Sequence, residues 1–287
     1  MINSFLRFKT KDINSKPLEL KSIQQANKVL FSLFTRYGDT IIDLVIIKEF
    51  IKLYPNKKYL ILCPRQMKPY VSELLPTIEC IALNKRNLFD MFKINRKLKK
   101  WQPDVGFNPW SNGLDSCYFL TYCNKFQCYK DCDRPDVINH YQVVRKYLQL
   151  PEKEWKINEL ILKQDYQKIL VCPQSTDLSR AISSLKLNEL IFDLNSKYQN
   201  SEITIASMDK SHFRSKCNHF LFRKSAVSSQ QFINLVKQSD FVVSSDSGPL
   251  HIALALGKDV LAFFCTTSPE IVVKSGSYLK VNSKYYA

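Results

Sequence analysis

Apolar stretches of four to seven residues alternate with longer amphipathic stretches along the chain. In the first half, the apolar stretches predict strands at residues 29–34, 59–63, 80–83 and 105–107. Helices are predicted over residues 41–53 and 88–101, with a weaker element around residues 70–75. Strands that alternate with helices in this way indicate a parallel sheet with helices on both faces.

The second half repeats the alternation. Strands are predicted at residues 168–172, 202–206, 220–222, 241–245 and 260–264, and helices at residues 186–197 and 228–238. A further helix is predicted over residues 139–149, at the end of the first half. Residues 1–27 are polar and irregular, and the charged, turn-prone stretch that begins at Pro151 places an interdomain linker near residues 150–166. We therefore predict an N-terminal extension over residues 1–27 and two α/β, Rossmann-like domains over residues 28–150 and 166–287.

The most informative segment of the chain is FVVSSDSGPLHIALALGKDVLAFFCTTSPE, residues 241–270. A strand leads into Asp246, Ser247 and Gly248. A helix with Pro249 in its first turn follows and is closed by Gly257. Ligands of a βαβ unit bind at the carboxyl ends of its strands, and the free N–H groups of the helix suit a diphosphate. Capping and core packing are the alternative roles for Asp246 and His251.

Two other loops follow predicted strands and carry candidate chemistry. Gly38 permits a tight turn, and Asp39 then stands at the start of a helix, either as a cap or as a functional carboxylate. In the second half, a loop with Ser175, Thr176 and Arg180 offers hydroxyls and a guanidinium that could bind phosphate oxygens. Taken alone, such a loop is also typical of an ordinary polar connection.

These segments, in this order, resemble glycosyltransferase family 9, the heptosyltransferases of bacterial lipopolysaccharide synthesis. The signature near the C-terminus is matched at Asp246, Ser247, Gly248, His251, Ala255, Thr267 and Pro269. Asp259 stands where the family commonly has Pro, and Cys265 where it usually has Gly. The resemblance runs from about residue 29 to residue 269, with poor agreement over residues 108–150.

The resemblance implies a GT-B fold, with the two domains facing a cleft, and an inverting transferase that needs neither metal nor another cofactor. It implies an ADP-linked heptose donor and a lipopolysaccharide core acceptor, with residues 28–150 binding the acceptor and residues 166–287 the donor. Asp39 is then the catalytic base. The implied donor contacts are Ser175, Thr176, Arg180, Asp246, Ser247, Gly248, His251 and Thr267, with Asp209 as a loosely aligned ribose ligand.

The net charge of +16 is concentrated in the first half. Residues 1–150 hold 25 Lys/Arg against 13 Asp/Glu, which gives +12, whereas residues 151–287 hold 17 against 13, which gives +4. A basic half predicts a polyanionic partner: nucleic acid, an anionic membrane surface or a phosphorylated substrate. A solvated lysine-rich surface would account for the same charge.

A basic amphipathic helix is predicted over residues 84–101. Leu88, Phe92 and Leu98, with Phe89, Met91 and Trp101, are expected to supply its apolar contacts. Its basic face is expected to bind the acceptor or the membrane surface, unless the helix simply packs on the sheet. That face comprises Lys85, Arg86, Lys93, Arg96, Lys97, Lys99 and Lys100.

Four cysteines, Cys117, Cys123, Cys128 and Cys132, are spaced unlike common zinc sites, and we expect free thiols, with a metal knuckle as the alternative. No apolar leader or bilayer-length run is visible, so a cytoplasmic protein, peripheral to the inner membrane, is predicted. Three alternatives stay open: a transferase for another nucleotide sugar, a catalytically silent relative and a nucleic-acid-binding protein. The last rests on charge alone, and no nucleic acid is expected as a partner.

Overall fold

The computed structural model describes residues 17–84, 87–110, 114–128, 139–207, 219–222 and 228–281. The chain divides into two compact units, Met1–Lys153 and Glu154–Ala287. The division falls inside the linker predicted at residues 150–166. The middle of that linker belongs to the second sheet, because the short strand Asn158–Glu159 pairs within it.

The first unit is a five-stranded parallel sheet of order β3-β2-β1-β4-β5. Its elements are, in chain order, α1 Leu20–Gln25, β1 Lys28–Ser32, α2 Tyr37–Leu53, β2 Lys58–Pro64, α3 Lys68–Leu74, β3 Glu79–Leu83, α4 Leu88–Trp101, β4 Val105–Asn108, α5 Leu114–Leu120, β5 Lys125–Cys128 and α6 His140–Tyr147. The central strand β1 is the one expected from its apolar run, and Phe31 pairs in register with Ile61 on one side and Phe107 on the other. Both faces of this strand are buried, as continuous apolar strands of parallel sheets are.

Three elements of this unit were not predicted. α1 forms inside the stretch taken as irregular, and Ile23 on it is fully buried, so the described end of the predicted extension packs into the fold. α5 and β5 lie in the cysteine-rich middle, where the apolar runs are too short to give a clear period. β5 pairs with β4 and is an edge strand of the sheet.

The second unit is a seven-stranded sheet of order β6-β12-β11-β10-β7-β8-β9, and its strand pairs are parallel. Its elements are β6 Asn158–Glu159, β7 Lys168–Cys172, α7 Ser184–Lys197, β8 Glu202–Ser207, β9 His219–Phe222, α8 Ser229–Gln238, β10 Phe241–Ser245, α9 Gly248–Ala255, β11 Asp259–Phe263, α10 Pro269–Val272 and β12 Tyr278–Val281. The predicted strands and helices of this half are all found, whereas β6, α10 and β12 were not predicted. The predicted α/β class with two Rossmann-like sheets is confirmed.

Candidate active site

In the second unit, two loops meet at the carboxyl ends of neighbouring strands. β7 and β10 pair with Cys172 opposite Ser244, so the loops that follow them begin side by side. The Ser245 hydroxyl donates to the Gln174 carbonyl at 3.1 Å, and the Ser175 hydroxyl donates to the Asp246 carbonyl at 3.4 Å. These two hydrogen bonds hold the Ser175–Arg180 loop against the start of the helical segment. The sequence predicted both loops, and the structure brings them together.

A cluster of three predicted residues lies at this junction. The Arg180 Nη1 donates to Asp246 Oδ2 at 3.3 Å, and His251 Nε2 lies 4.0 Å from Asp246 Oδ1. Asp246 and His251 are buried, and Arg180 is about a quarter exposed. A buried carboxylate needs such a partner, because its charge would otherwise be desolvated without compensation. Asp246 does not cap the helix, since the N-cap residue is Ser247.

Burial controls the protonation of the histidine. Burial lowers the pKa of His251 to about 4; nearby Asp246 opposes the shift, and nearby Arg180 adds to it. The imidazole is therefore neutral at physiological pH and can donate from only one of its nitrogens. Nδ1 is buried and has no hydrogen-bond partner among the residues that the structure describes.

The other residues predicted to bind the sugar donor differ in their solvent exposure. The hydroxyl of Ser247 donates to the Ser245 carbonyl at 3.2 Å, and Gly248 begins α9. Thr176 is exposed and Thr267 is half-buried. Gly257 follows the end of α9 with φ of +71°. Its N–H donates to the Leu254 carbonyl and the N–H of Lys258 donates to the Ala253 carbonyl, as in a Schellman motif. Asp209, the predicted ribose ligand, lies outside the described residues.

The two departures from the family signature lie at opposite ends of β11. Asp259 begins the strand, where its Oδ2 accepts from the Tyr166 hydroxyl at 3.0 Å and lies 3.2 Å from Lys163 Nζ. It is therefore at the end of the sheet away from the cluster. Cys265 follows the carboxyl end of the strand and is exposed. Only the Cys265 difference falls where a parallel sheet binds its ligand.

In the first unit, the predicted base Asp39 stands in the first turn of α2. Its Oδ2 accepts from the Thr35 hydroxyl at 3.2 Å, and its side chain is 28% exposed. His140, the first residue of α6, places Nδ1 3.8 Å from Asp39 Oδ1 and Nε2 3.7 Å from Asp43 Oδ1. The ring of Trp110 stacks on the imidazole, with 3.4 Å between centroids. Asp39 is thus one of several ionisable groups and not an isolated helix cap.

Sequence reasoning missed Asp43, His140 and Trp110. Asp43 gives the one usable signal, because a carboxylate inside the apolar run IIDLVII predicts a buried charge with a partner. Burial, and after it the charge of Asp39, raises the pKa of Asp43 well above 3.8. Trp110 and His140 come from other parts of the chain and were not visible as partners.

The predicted basic helix is α4, but its packing differs from the prediction. Met91, Ile94 and Leu98 are buried, whereas Leu88, Phe89 and Phe92 are exposed by 58%, 78% and 71%. The prediction that Leu88, Phe89 and Phe92 make apolar contacts is therefore wrong. The face of the helix that packs on the sheet is the one that carries Met91 and Ile94. The basic residues Lys93, Arg96, Lys97, Lys99 and Lys100 are exposed, and Lys85 and Arg86 lie outside the described residues.

Two acidic residues, Glu79 and Asp90, form ion pairs at the sides of this helix. Lys97 pairs with Glu79, and Asp90 forms a 2.9 Å ion pair with Arg65. At 100° per residue, Phe89, Phe92, Lys93, Arg96, Lys99 and Lys100 fall on the arc opposite the buried stripe. We call these six residues the α4 outer face; it contains no acidic residue.

Three of the four clustered cysteines can be placed. The Cys117 and Cys128 sulfurs are 3.3 Å apart, and Cys123 is buried nearby in the same core; all three are free thiols. Cys132 lies outside the described residues. Within the described ranges, no group of three or more His, Cys, Asp or Glu is arranged to hold a metal ion. None of the helices there has the length and apolar character that a bilayer span requires.

Comparison with protein families gives a match to Glycosyltransferase family 9 (heptosyltransferase) over residues 224–283. This segment contains α8, β10, α9 and β11, and therefore Asp246 and His251. The resemblance predicted from the sequence is confirmed by this match. A search of curated proteins finds no match.

Solved structures share the fold across both units. The family 9 glycosyltransferase of Veillonella parvula matches with TM-score 0.71 and 13% identity, over 93% of this chain and 88% of its own. ADP-heptose lps heptosyltransferase II of E. coli matches with TM-score 0.67 and 15% identity, over 89% and 90%. The dodecameric iron-containing heptosyltransferase TibC of E. coli, solved with ADP-D-beta-D-heptose, matches with TM-score 0.58 and 13% identity, over 89% and 62%. The fold is that of GT-B-type heptosyltransferases, and together with the family match it supports the predicted glycosyltransferase enzyme class.

Proposed function

We propose that this glycosyltransferase moves a heptose from ADP-heptose to a lipopolysaccharide-type core acceptor, with inversion and without a metal ion. The observation that carries the proposal is the Arg180–Asp246–His251 cluster at the carboxyl ends of β7 and β10. Two of its three residues lie in the segment that matches family 9. ADP-heptose is chosen because two of the matching structures name it.

The donor contacts follow from the chemistry of the cluster. A guanidinium carries five N–H donors in a planar fork, so Arg180 can keep its bond to Asp246 and still bind diphosphate oxygens. Ser175 and Thr176, with Ser247 and the first turn of α9, would add hydroxyl and N–H donors to the same phosphates. Asp246 and the neutral imidazole of His251 would then hydrogen-bond hydroxyls of the donor sugar. Thr267 is proposed as a further phosphate contact and Asp209 as the ribose ligand.

The transfer step uses Asp39 as general base. Its carboxylate takes the proton of an acceptor hydroxyl while that oxygen bonds to the anomeric carbon. The anomeric carbon–phosphate oxygen bond breaks on the opposite face, and its electron pair leaves with the diphosphate, which inverts the configuration. Arg180 offsets the charge that develops on the leaving diphosphate. With that charge offset by protein groups, no divalent metal is needed.

The acceptor and the membrane are proposed to meet the α4 outer face. Its exposed phenylalanines suit the headgroup–acyl boundary of a bilayer, and its four cations suit anionic lipid. The protein would act at the cytoplasmic face of the inner membrane without spanning it. A vesicle flotation assay tests this: Phe89→Ser/Phe92→Ser should lose binding to anionic vesicles. Phe192→Ser, which removes a phenylalanine that is also 71% exposed but lies in the second unit, should keep it.

Donor identity is tested by thermal-shift binding to ADP, UDP, GDP and CMP without added metal. ADP alone should raise the melting temperature, and Arg180→Met should weaken ADP binding by about 10- to 100-fold, the value of a hydrogen bond to a charged group. Lys197→Met, at the far end of α7, is the matched control. A rise with another nucleotide would favour a different sugar donor, and binding without turnover would favour a catalytically silent protein.

A further inference from the structure

The strongest unexplained feature is a pair of carboxylates beside a buried histidine. Asp39 and Asp43 are four residues apart on α2, so their side chains share one face of the helix. Like charges at this spacing repel, and Asp43 is almost fully buried. Neither Asp43 oxygen has a hydrogen-bond partner among the described residues. Such a site is costly unless a proton or a cation compensates it.

His140 is placed to supply that compensation. Its Nδ1 faces Asp39 and its Nε2 faces Asp43, at 3.8 and 3.7 Å. A neutral imidazole has one N–H donor, whereas an imidazolium has two. The placement of one carboxylate at each nitrogen therefore matches an imidazolium, or equally a proton that is shared between His140 and Asp43. The stacked ring of Trp110 favours the cation and fixes the plane of the imidazole.

We propose that His140 is a positioning residue for Asp39, and that one proton shared between His140 and Asp43 keeps the exposed carboxylate ionised and correctly oriented. The inference rests on the proposed function only in that Asp39 is the base. The three residues differ in solvent exposure. The Asp39 side chain is 28% exposed and can contact an acceptor hydroxyl, whereas Asp43 and His140 are buried. Tyr141, on the same helix as His140, is a further ionisable group beside Asp43. Burial raises the pKa of Tyr141, so its hydroxyl stays neutral.

The first test needs no substrate. The chain has four histidines, so ¹⁵N imidazole spectra can be assigned to His140 by comparison with His140→Gln. At pH 7.5 the ring of the intact protein should show both nitrogens protonated, or one proton exchanging with Asp43. Asp43→Asn should convert it to a neutral ring. A ring that is neutral in the intact protein and unaffected by Asp43→Asn would overturn the proposal.

The second test uses the pH dependence of transfer. His140→Gln removes the imidazole N–H that faces Asp39, whether the shared proton lies on His140 or on Asp43, so the acidic limb of the kcat/KM profile should move up by about one pH unit. The KM for the donor should stay unchanged. Tyr141→Phe, a buried neighbour on the same helix, controls for packing and should leave the limb in place. An unmoved limb in His140→Gln, with transfer lost in Asp39→Asn, would overturn the positioning role and leave the proposed function intact. Full transfer by Asp39→Asn would instead reject the base assignment.

Discussion

Acidification from pH 7 to pH 5 should destabilise the second unit through His251. The unfolded imidazole has its usual pKa of 6.5, and burial holds the folded value at about 4. Between these two values the unfolded chain binds a proton that the folded chain does not. The stabilising contribution is therefore fully present above pH 6.5 and is lost as the pH falls toward 4.

The magnitude follows from the two pKa values. Each pH unit over which the unfolded chain binds one extra proton costs about 1.4 kcal/mol. Because most unfolded histidine is still neutral at pH 7, the loss between pH 7 and pH 5 comes to about 2 kcal/mol. Asp246 and Arg180 lie near the imidazole with opposite charges. Their effects on the pKa of His251 are already included in the value of about 4 for the folded protein.

Amide hydrogen exchange in β10 is a suitable assay, because it reports on the second unit alone. Protection factors, corrected for the intrinsic pH dependence of exchange, give the free energy of opening at both pH values. The glutamine of His251→Gln has nearly the same volume as histidine and cannot be protonated. Between pH 7 and pH 5, the free energy of opening of β10 should therefore fall by about 2 kcal/mol less in this variant than in the intact protein. Equal changes in the two proteins would refute the conclusion that the folded histidine is buried and neutral.

Three further predictions concern packing, capping and chemistry. Gly106→Ala should destabilise the first unit by about 1–3 kcal/mol in urea unfolding, because its Cβ would contact Cys123 Sγ and lie 2.9 Å from Leu120 Cδ2. Adding Cys123→Ala should recover part of that loss, and no recovery would contradict the clash. Ser228→Ala should cost about 1 kcal/mol, because Ser228 and Gln231 form a capping box at α8; Ser229→Ala, next along the chain, should cost much less. EDTA should leave transfer unchanged in metal-analysed protein, and loss of activity that Mg²⁺ or iron restores would disprove metal independence.

Part of the candidate site could be predicted because its signals are local. The run from Phe241 to Pro269 carries strand, turn, helix start and helix end within thirty residues, and each signal depends on neighbours in the chain. Parallel βαβ topology then places the turn residues at one edge of the sheet. The second loop, with Arg180, could be predicted to reach the same edge, because it also follows a buried strand.

Only the tertiary structure decided the partners. Asp39 and His140 are separated by 101 positions, and no periodic pattern links them, because their contact depends on how α6 packs against α2. The outward direction of Phe89 and Phe92 was decided in the same way, since amphipathic helices with two apolar stripes can bury either one. The sequence by itself determined most of the strands, the turns around the candidate site and the chemical character of its loops, because these depend on local backbone preference and on burial. The protonation of His251 and Asp43 came from the tertiary structure alone, because desolvation and the distance to other charges exist only in the packed chain.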